Sequence, residues 1–569
     1  MPLLWQKRKS DDAIASSLSI FAKQPIVAKI LASRGITNRE EEELFLHPSL
    51  KHIVNAEELP GVVNAVEQIM EFVDRGEKIV VFGDYDVDGV AATVILVKTL
   101  KKIGAKNVGQ FIPRRLDEGY GITEKSMDRL FREYPDVALV ITVDTGITSA
   151  KEVQCLIDRG VRVVITDHHL PGEEIPKAHA LVNPRISSVE GCDDLCAAGV
   201  AFYLATALVN KAISSGRWSG KKFGAPLLVL AGLATVADMV SLTKQNRILV
   251  NVALNWFSSY APIGLRELLK RAQRFASNVT VHEFSFALAP RINAAGRIAT
   301  ADKAYELLFT ENQDEAQSLA VEVDTFNVGR KSMEQEILEA ACNQLQRFEN
   351  KNAVVVSDTG LERAWHSGVV GILASRLVEK TGKPVAVVTK GRGSLRVPAG
   401  YNAHDVLSYA SSVLDRFGGH VAAGGFTVAP GKQKEFEELF EEACTNQKVV
   451  VGQGVLEFDE WLNPSDITME FLEDLKMLAP YGEGNPEPVF GLKSVHFKDV
   501  QIIGSEGKHL SITFAESNIP RAVWWGQGEM VEELRKNIMN SYDILFKTEI
   551  STFGYEPHPE LRIVDIRES

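Results

Sequence analysis

The chain has 569 residues, 45% of them hydrophobic and 24% charged: an ordinary globular composition with apolar material for three or four cores, which excludes a disordered or fibrous chain. A formal net charge of −13 argues mildly against a nucleic-acid partner, because phosphate binding usually leaves a basic footprint, but clustered carboxylates can be neutralised by metal ions and a basic channel can sit on an acidic protein. The five cysteines have no regular spacing, and Cys192 and Cys196 lack a second pair, so neither a disulfide framework nor a zinc site is expected.

The opening "MPLLWQKRKSDDAIASSLSIF" has no apolar stretch behind its basic residues, and the apolar segment Pro226 to Ala237 is interrupted at Asp238, short of a bilayer span. A cytoplasmic protein with no membrane association is expected. Residues 1–60 read as a small helical preface, in which "KILASRGITNREEEELFLHP" has helical patterning, an Asn-led turn and a terminal proline; no chemistry is assigned to it. From 61 to 310 the chain alternates helices with short β-rich runs, "KIVVFG", "NVGQFIP", "ALVITVD", "RVVITD" and "ALVNP", which predicts a parallel sheet covered by helices on both faces. Residues 311–348 lack proline and carry Leu319, Val323, Phe326, Met333, Ile337, Ala341, Leu345 and Phe348 at mostly three- and four-residue intervals, which predicts one long amphipathic helix. A second α/β unit spans 349–446, with "AVVVSD" and "PVAVVT" as strands around the helix of "GVVGILASRLVEKTG". The remainder, 447–569, alternates "SVHFKDVQII", "HLSITF", "RAVWW" and "DILFKTEI" with polar turns, as a small β-barrel would, an oligonucleotide-binding (OB) fold being one candidate.

The chemistry concentrates at strand ends. "GDYDVDG" (83–89) spells the first half of an EF-hand loop, but the twelfth position is Ile95 where a bidentate Glu is needed, and a strand precedes Asp84 where an EF-hand needs a helix. The same arrangement recurs in the first lobe: "IVVFG" leads to Asp84, Asp86 and Asp88, "LVITV" to Asp144, and "RVVIT" to Asp167, His168 and His169. In a doubly wound sheet these strand ends converge on one edge. Carboxylates so crowded repel and raise one another's pKa, a conflict that divalent cations remove, and an Asp/His set with few sulfur ligands suits Mn²⁺ or Mg²⁺. Singly, each residue has a plainer role: Asp144 or Asp238 as a helix cap or turn residue, the paired histidines as a loop feature. Their recurrence at successive strand ends favours a metal site.

"DHH" at 167–169, with "GDYDVDG" upstream and "TVDTGITS" between, resembles the DHH phosphoesterase superfamily. "PRRLDEGYG" (113–121), "DHHLPG" (167–172), "ATVADMVSL" (234–242), "PRINAAGRI" (290–298), "GVVGILASRL" (368–377), "GGHVAAGG" (418–425) and "YGEGNPEPVF" (481–490) occur in the order of its RecJ-type exonucleases, a resemblance covering about residues 20–560. It implies an α/β architecture of two lobes, DHH and DHHA1, joined by a long helix, with a C-terminal OB-like barrel, around a cleft that admits one strand. It implies a single-stranded-DNA-specific 5′ to 3′ exonuclease of recombination and repair that releases 5′-mononucleotides. Further implications are a monomer, Mn²⁺ or Mg²⁺ as cofactor, and single-strand-binding protein and a helicase as partners.

By motif position the resemblance makes Asp86, Asp88, Asp144, His168 and Asp238 metal ligands, with Asp144 bridging two ions, and Asp84 and His169 completing the cluster; His169 either binds metal or contacts the scissile phosphate and assists proton transfer. Two-metal hydrolysis activates water and stabilises the leaving oxygen, so no nucleophilic side chain is required. Arg297 in "NAAGR", a turn-like stretch, is the candidate clamp on the transition-state phosphate, with Asn293 nearby. For the 5′-terminal phosphate the resemblance points to Arg115, Ser394, Arg396 and His420, although Val397 stands where the family usually has a serine, which weakens the expected grip on that end. Of the barrel aromatics Phe497, Trp524 and Trp525, most should pack in the core, but adjacent Trp524 and Trp525 cannot share a sheet face. The competing functions are a DHH phosphodiesterase of short RNA or cyclic dinucleotides, and a non-catalytic DNA-binding scaffold. The barrel argues against the first and the retained carboxylates against the second.

Overall fold

Five short strands of the first lobe pair side by side and in parallel, in the spatial order Val108–Phe111, Lys78–Phe82, Val137–Val143, Arg162–Thr166, Ala180–Val182. Alternation along each strand feeds two cores: Ile79 and Val81 pack on one face of the sheet, Val80 and Phe82 on the other. The order reverses at Lys78–Phe82, so the crevice beyond the carboxyl ends of Lys78–Phe82 and Val137–Val143 is the topological switch point where such sheets bind ligands. The computed structural model describes residues 3–18, 24–187, 189–219, 224–359, 364–447, 449, 454–504, 506–551 and 556–569.

The apolar helix Ala197–Ser214, which sequence reading passed over in favour of the shorter run before Asp238, is long and apolar enough to cross a bilayer, but 61% of it is buried inside the protein. It is a core helix of the first lobe, packed with Gly224–Ala237. The predicted connecting helix spans Gln313–Cys342, capped by Asn312, and gives way to a 3₁₀ turn at Leu345–Phe348. Thirty residues reach about 45 Å at 1.5 Å per residue. Leu319, Val323, Ile337 and Ala341 are buried as their spacing predicts; Asp324, Asn327 and Glu334 are buried as well, so the inward stripe is partly polar.

In the second lobe the predicted strands Val354–Ser357 and Val385–Thr389 are parallel, and Arg392–Arg396, Ala423–Val428 and Leu414–Gly419 extend the sheet antiparallel. Those three were not predicted, because glycines and arginines dominate their sequences. "GGHVAAGG" is the hairpin between the last two.

The C-terminal strands close into a barrel: Phe490–Ile503 pairs with His509–Phe514 on one side and Ser541–Ser551 on the other, and the ring is completed through Ala522–Trp524 and His558–Glu568. Phe497 is buried and stacks on Tyr542, Trp524 is half-buried against the barrel core, and Trp525 faces outward at 52% exposure beside His509. The N-terminal segment is not an independent preface. Its helices Pro25–Ser33 and Arg39–Leu46 place Val27, Ile30, Leu31, Phe45 and Leu46 in the same core as Phe471, Phe490 and Phe546, and its strand Leu4–Lys7 pairs with Val455–Phe458. Residues 19–23 of this segment lie outside the described residues.

Candidate metal centre and phosphate cleft

The turn after Lys78–Phe82 runs directly into the helix Val87–Lys102. Asp86 caps that helix, its Oδ1 accepting the N–H groups of Asp88 and Gly89 at 3.0 and 3.1 Å. Asp88 lies in the first turn, and its two oxygens accept the N–H groups of Ala197 and Ala198 at 2.7 Å each, at the start of the helix Ala197–Ser214. Gly89 is needed for close packing, because a Cβ there would sit 2.6 Å from the backbone of Asp84. Asn293, named by sequence as a neighbour of Arg297 in its motif, accepts the Val87 N–H on its Oδ1 at 3.1 Å and so braces the acidic turn.

Asp144 leaves Val137–Val143 with φ of 61°, a left-handed conformation uncommon in residues with a Cβ. It does not cap a helix; Ser149 stands at the N-cap of the next one. Asp238 directly follows the helix Gly224–Ala237. His168 joins these pieces: Nε2 lies 3.2 Å from Asp144 Oδ1 and 3.7 Å from Asp88 Oδ2, and Nδ1 lies 3.7 Å from Asp238 Oδ2. Three sets of donor atoms, each within a 4.8 Å span, follow: Asp84, Asp86 and Asp144; Asp88, His168 and Asp238; Asp144, His168 and His169.

The electrostatics of this cluster call for cations. Asp84 is 2% exposed with its Oδ1 unpartnered by hydrogen bonds. Burial and then the neighbouring carboxylates hold Asp84 and Asp144 well above the ordinary carboxyl range, and burial with Asp88 and Asp86 pushes Asp238 up to about 9. His168 is kept by burial below the usual histidine value, hence neutral and able to ligate. An oxygen-rich set with imidazole and no thiolate fits Mn²⁺ or Mg²⁺.

Asp167, grouped by sequence with the strand-end cluster but given no role of its own, orients the two histidines. Its Oδ1 accepts the His168 and His169 N–H groups at 2.8 and 3.1 Å and lies 2.8 Å from His169 Nδ1, and its Oδ2 accepts the Ile147 N–H at 2.9 Å. His169 Nε2 faces the Tyr120 hydroxyl at 3.4 Å. Tyr120 also lies 3.4 Å from the Asp144 carbonyl oxygen and is held protonated by burial and the surrounding carboxylates.

Between the lobes is a cleft of about 400 Å³ lined by Arg115 and Arg297 from the first lobe and Arg392, Ser394, Arg396 and Arg416 from the second; no carboxylate lines it among the described residues. Burial and Arg115 lower the pKa of Arg297, to about 10, and that of Arg396; Tyr85 and Asp86 offset only part of the effect on Arg297. The first turn of the helix Val370–Thr381 opens onto the cleft with no side-chain cap, which adds free N–H groups. Arg297 sits in the last turn of the helix Ala289–Ile298, not in the predicted turn; the Asn, Ala and Gly of "NAAGR" look turn-like but continue that helix. His420 does not line the cleft: it stands exposed beyond Gly419 in the hairpin of the second lobe, because the strand pair carries it past the arginines. Val397 is buried in the second lobe's core beside Leu395, while Ser394 and Arg396 face the cleft, so a serine at 397 would point away from any bound phosphate. Arg392 and Arg416 went unseen in the sequence, since strand pairing alone brings them to the cleft.

Family models match three parts of the chain: the DHH family N-terminal domain over residues 78–231, the DHHA1 domain over 351–446 and the RecJ OB domain over 458–565. The single-stranded-DNA-specific exonuclease RecJ of Bacillus subtilis (strain 168) is 33% identical over 580 residues, covering 99% of this chain and 70% of that protein. The RecJ exonuclease of Escherichia coli (strain K12) is 33% identical over 508 residues, covering 86% of each. Among solved structures, RecJ from Thermus thermophilus in complex with Mn²⁺ superposes with a TM-score of 0.84 at 29% identity, covering 100% of this chain and 80% of that one. The same protein in complex with Mg²⁺ gives 0.78 at 27% identity, covering 100% and 78%.

Proposed function

The chain belongs to the RecJ family of single-stranded-DNA-specific exonucleases, and from that premise we propose how its residues divide the work. It is a metal-dependent exodeoxyribonuclease with Mn²⁺ or Mg²⁺ as cofactor and single-stranded DNA as substrate. Asp84, Asp86 and Asp144 would hold one ion, and Asp88, His168 and Asp238 a second, Asp144 lying close enough to His168 to serve either. Bound there, the two cations supply the charge that lowers the pKa of a water and offsets charge building on the attacked phosphate. Asp88 is aimed by the Ala197 and Ala198 N–H groups, and Asn293 and Asp86 fix the start of the helix that carries it. His169, oriented by Asp167, contacts the scissile phosphate and handles a proton at Nε2 instead of ligating metal. Arg297 stabilises the phosphate charge, and Arg115, Ser394 and Arg396, joined by Arg392 and Arg416, grip the 5′-terminal phosphate, which gives 5′ to 3′ polarity and release of 5′-mononucleotides.

The observation that carries this assignment is the pairing of two frustrated charge clusters, one acidic and one built of arginines. Arg115 couples them, since its charge acts on Asp84, Arg297 and Arg396 alike. The first cluster calls for cations and the second for an anion, and a strand with a phosphorylated end beside divalent ions satisfies both. One chain supplies both clusters, which supports a monomer. Cytoplasmic action in recombination and repair, alongside single-strand-binding protein and a helicase, completes the proposal.

The test uses single-stranded DNA labelled internally and at its 3′ end, with a matched duplex, in Mn²⁺, Mg²⁺ and EDTA, for wild type and Asp144→Ala. Metal-dependent release of 5′-mononucleotides from the 5′ end of the single strand, abolished by the substitution, is expected. Release from the 3′ end would overturn the polarity, and cleavage of dinucleotides alone would overturn the long-strand substrate.

A further inference from the structure

The segment "YGEGNPEPVF" lies in the C-terminal unit, yet its first half is bound to the metal-bearing lobe. Arg247, on the helix Lys244–Tyr260 of the first lobe, is 1% exposed. The hydrogen bonds of its guanidinium among the described residues all go to carbonyl oxygens: Nε to Phe45 at 2.7 Å, Nη1 to Pro480 at 3.3 Å, and Nη2 to Met477, Leu478 and Ala479 at 3.3, 3.1 and 2.7 Å. The cation also lies 3.8 Å from the centre of the Phe45 ring. One side chain thus ties the first lobe to both the N-terminal helices and the turn that leads into the barrel.

The grip continues towards the metal ligand Asp238. Leu242 N donates to the Glu483 carbonyl at 2.8 Å, and Gly484, at φ +70°, packs so closely on Ser241 that a Cβ would overlap its hydroxyl. Asn485 is fully buried and holds the turn in shape by donating to the Leu478 and Pro480 carbonyls at 2.8 Å each. Arg34, from the N-terminal helices, donates to the Pro486 carbonyl at 2.6 Å. The stretch 241–247 therefore carries these contacts with the 477–485 turn within a few residues of Asp238.

We propose that Arg247 is a positioning residue for strand hydrolysis: its cage of carbonyls locks the 477–485 turn onto the stretch after Asp238, holding the barrel unit in fixed register with the metal cluster, so that efficient attack on long strands depends on the lock. The inference rests on the exonuclease assignment. A short substrate reaches only the metal cluster and the arginine cleft and is indifferent to the barrel; a long strand must be aligned across both units, where a displacement of about 1 Å can cost on the order of 10²-fold in rate.

The experiment compares Arg247→Met, which keeps the side chain's length without its donors, and the milder Gly484→Ala with wild type, in Mn²⁺, on a long single strand and on a 5′-phosphorylated dinucleotide. The expected result is a fall in kcat/KM of about tenfold or more on the long strand, mainly through KM, with kcat on the dinucleotide unchanged and faster hydrogen exchange at the Leu242 amide. Equal losses on both substrates, or none on either in a folded variant with faster exchange at Leu242, would overturn the proposal. If Arg247→Met does not fold, Gly484→Ala decides the matter. Failure of wild type to degrade the long strand would instead sink the exonuclease assignment.

Discussion

Asp167 Oδ1 sits 2.8 Å from His169 Nδ1, and this contact separates the chemistry of two adjacent histidines. Burial opposes the charged form of His169, but the hydrogen bond and charge of Asp167 outweigh it and raise the pKa above the usual histidine value. His168, whose ring centre is only 4.4 Å away, is driven the other way by burial and stays neutral. A neutral imidazole can bind a cation, and a protonated one can contact phosphate or donate a proton, which is the basis of the division of roles proposed for the pair.

Asp167→Asn should separate the two roles. Without the carboxylate the His169 pKa falls, so a rate that requires its protonated form loses activity at lower pH: the alkaline limb of the kcat/KM profile moves down while the metal requirement stays. His169→Ala should cost about 10²-fold or more in kcat, the scale of a lost acid–base group. An unchanged pH profile in Asp167→Asn would return His169 to the metal-ligand set.

Metal removal should reverse the pH dependence of stability. Asp238 titrates near 9 in the folded chain against an ordinary value of 3.8, so the metal-free folded state holds a proton that the unfolded chain has already released. Stability from this group is present at low pH and is lost as pH rises through the folded value; Asp84 and Asp144 act in the same direction. The Tm in EDTA should fall as pH rises from about 4 towards about 9, the increase in Tm on adding Mn²⁺ should grow over the same window, and Asp84→Asn should flatten the EDTA curve while abolishing hydrolysis. A gap between loaded and stripped Tm that ignores pH would contradict this electrostatic account.

What the sequence disclosed follows from which interactions are local. The strand ends at Asp84, Asp144 and Asp167 were legible because apolar runs mark the strands and sheet topology brings their carboxyl ends together. The arginine cleft was only half legible: Arg392 and Arg416 join Arg396 through antiparallel pairing in glycine-rich strands, which have no apolar alternation to read. The orientation of His420 and Val397 was unreadable for the same reason, since strand register decides which side chain faces the cleft. Asn293 and Arg247 were invisible in their roles, because each bonds to backbone atoms far away in sequence.

The phosphate cleft should discriminate by residue. Arg396→Ala removes a charge-assisted contact worth about 1.5–3 kcal/mol, so it should raise KM for a 5′-phosphorylated strand about 10- to 100-fold relative to a 5′-hydroxyl strand. His420→Ala should leave that ratio unchanged. Val397→Ser should also leave it unchanged while lowering stability by about 1–3 kcal/mol, since the hydroxyl enters an apolar core. Competition kinetics with both ends, alongside urea denaturation, measure these effects; an end preference altered by Val397→Ser would place that side chain on the cleft after all.

The N-terminal helices should be inseparable from the barrel. Val27, Ile30, Leu31, Phe45 and Leu46 are buried in one core with barrel residues, and each such side chain contributes about 1.5–3 kcal/mol on burial. Five of them together match the whole stability of a typical domain, about 5–15 kcal/mol, so a chain lacking residues 1–46 should leave the barrel open to proteolysis while the first lobe stays resistant. Leu31→Ala, a single cavity costing about 2–5 kcal/mol, should show the same local weakness in an otherwise intact protein, read by limited proteolysis between 454 and 569. A separately expressed barrel that gives a dispersed, cooperative NMR spectrum without these helices would show that the shared core is not required. Because Phe45 also lies under the Arg247 guanidinium, loss of the helices should weaken attachment to the metal lobe as well, and long-strand hydrolysis should decline before the barrel unfolds.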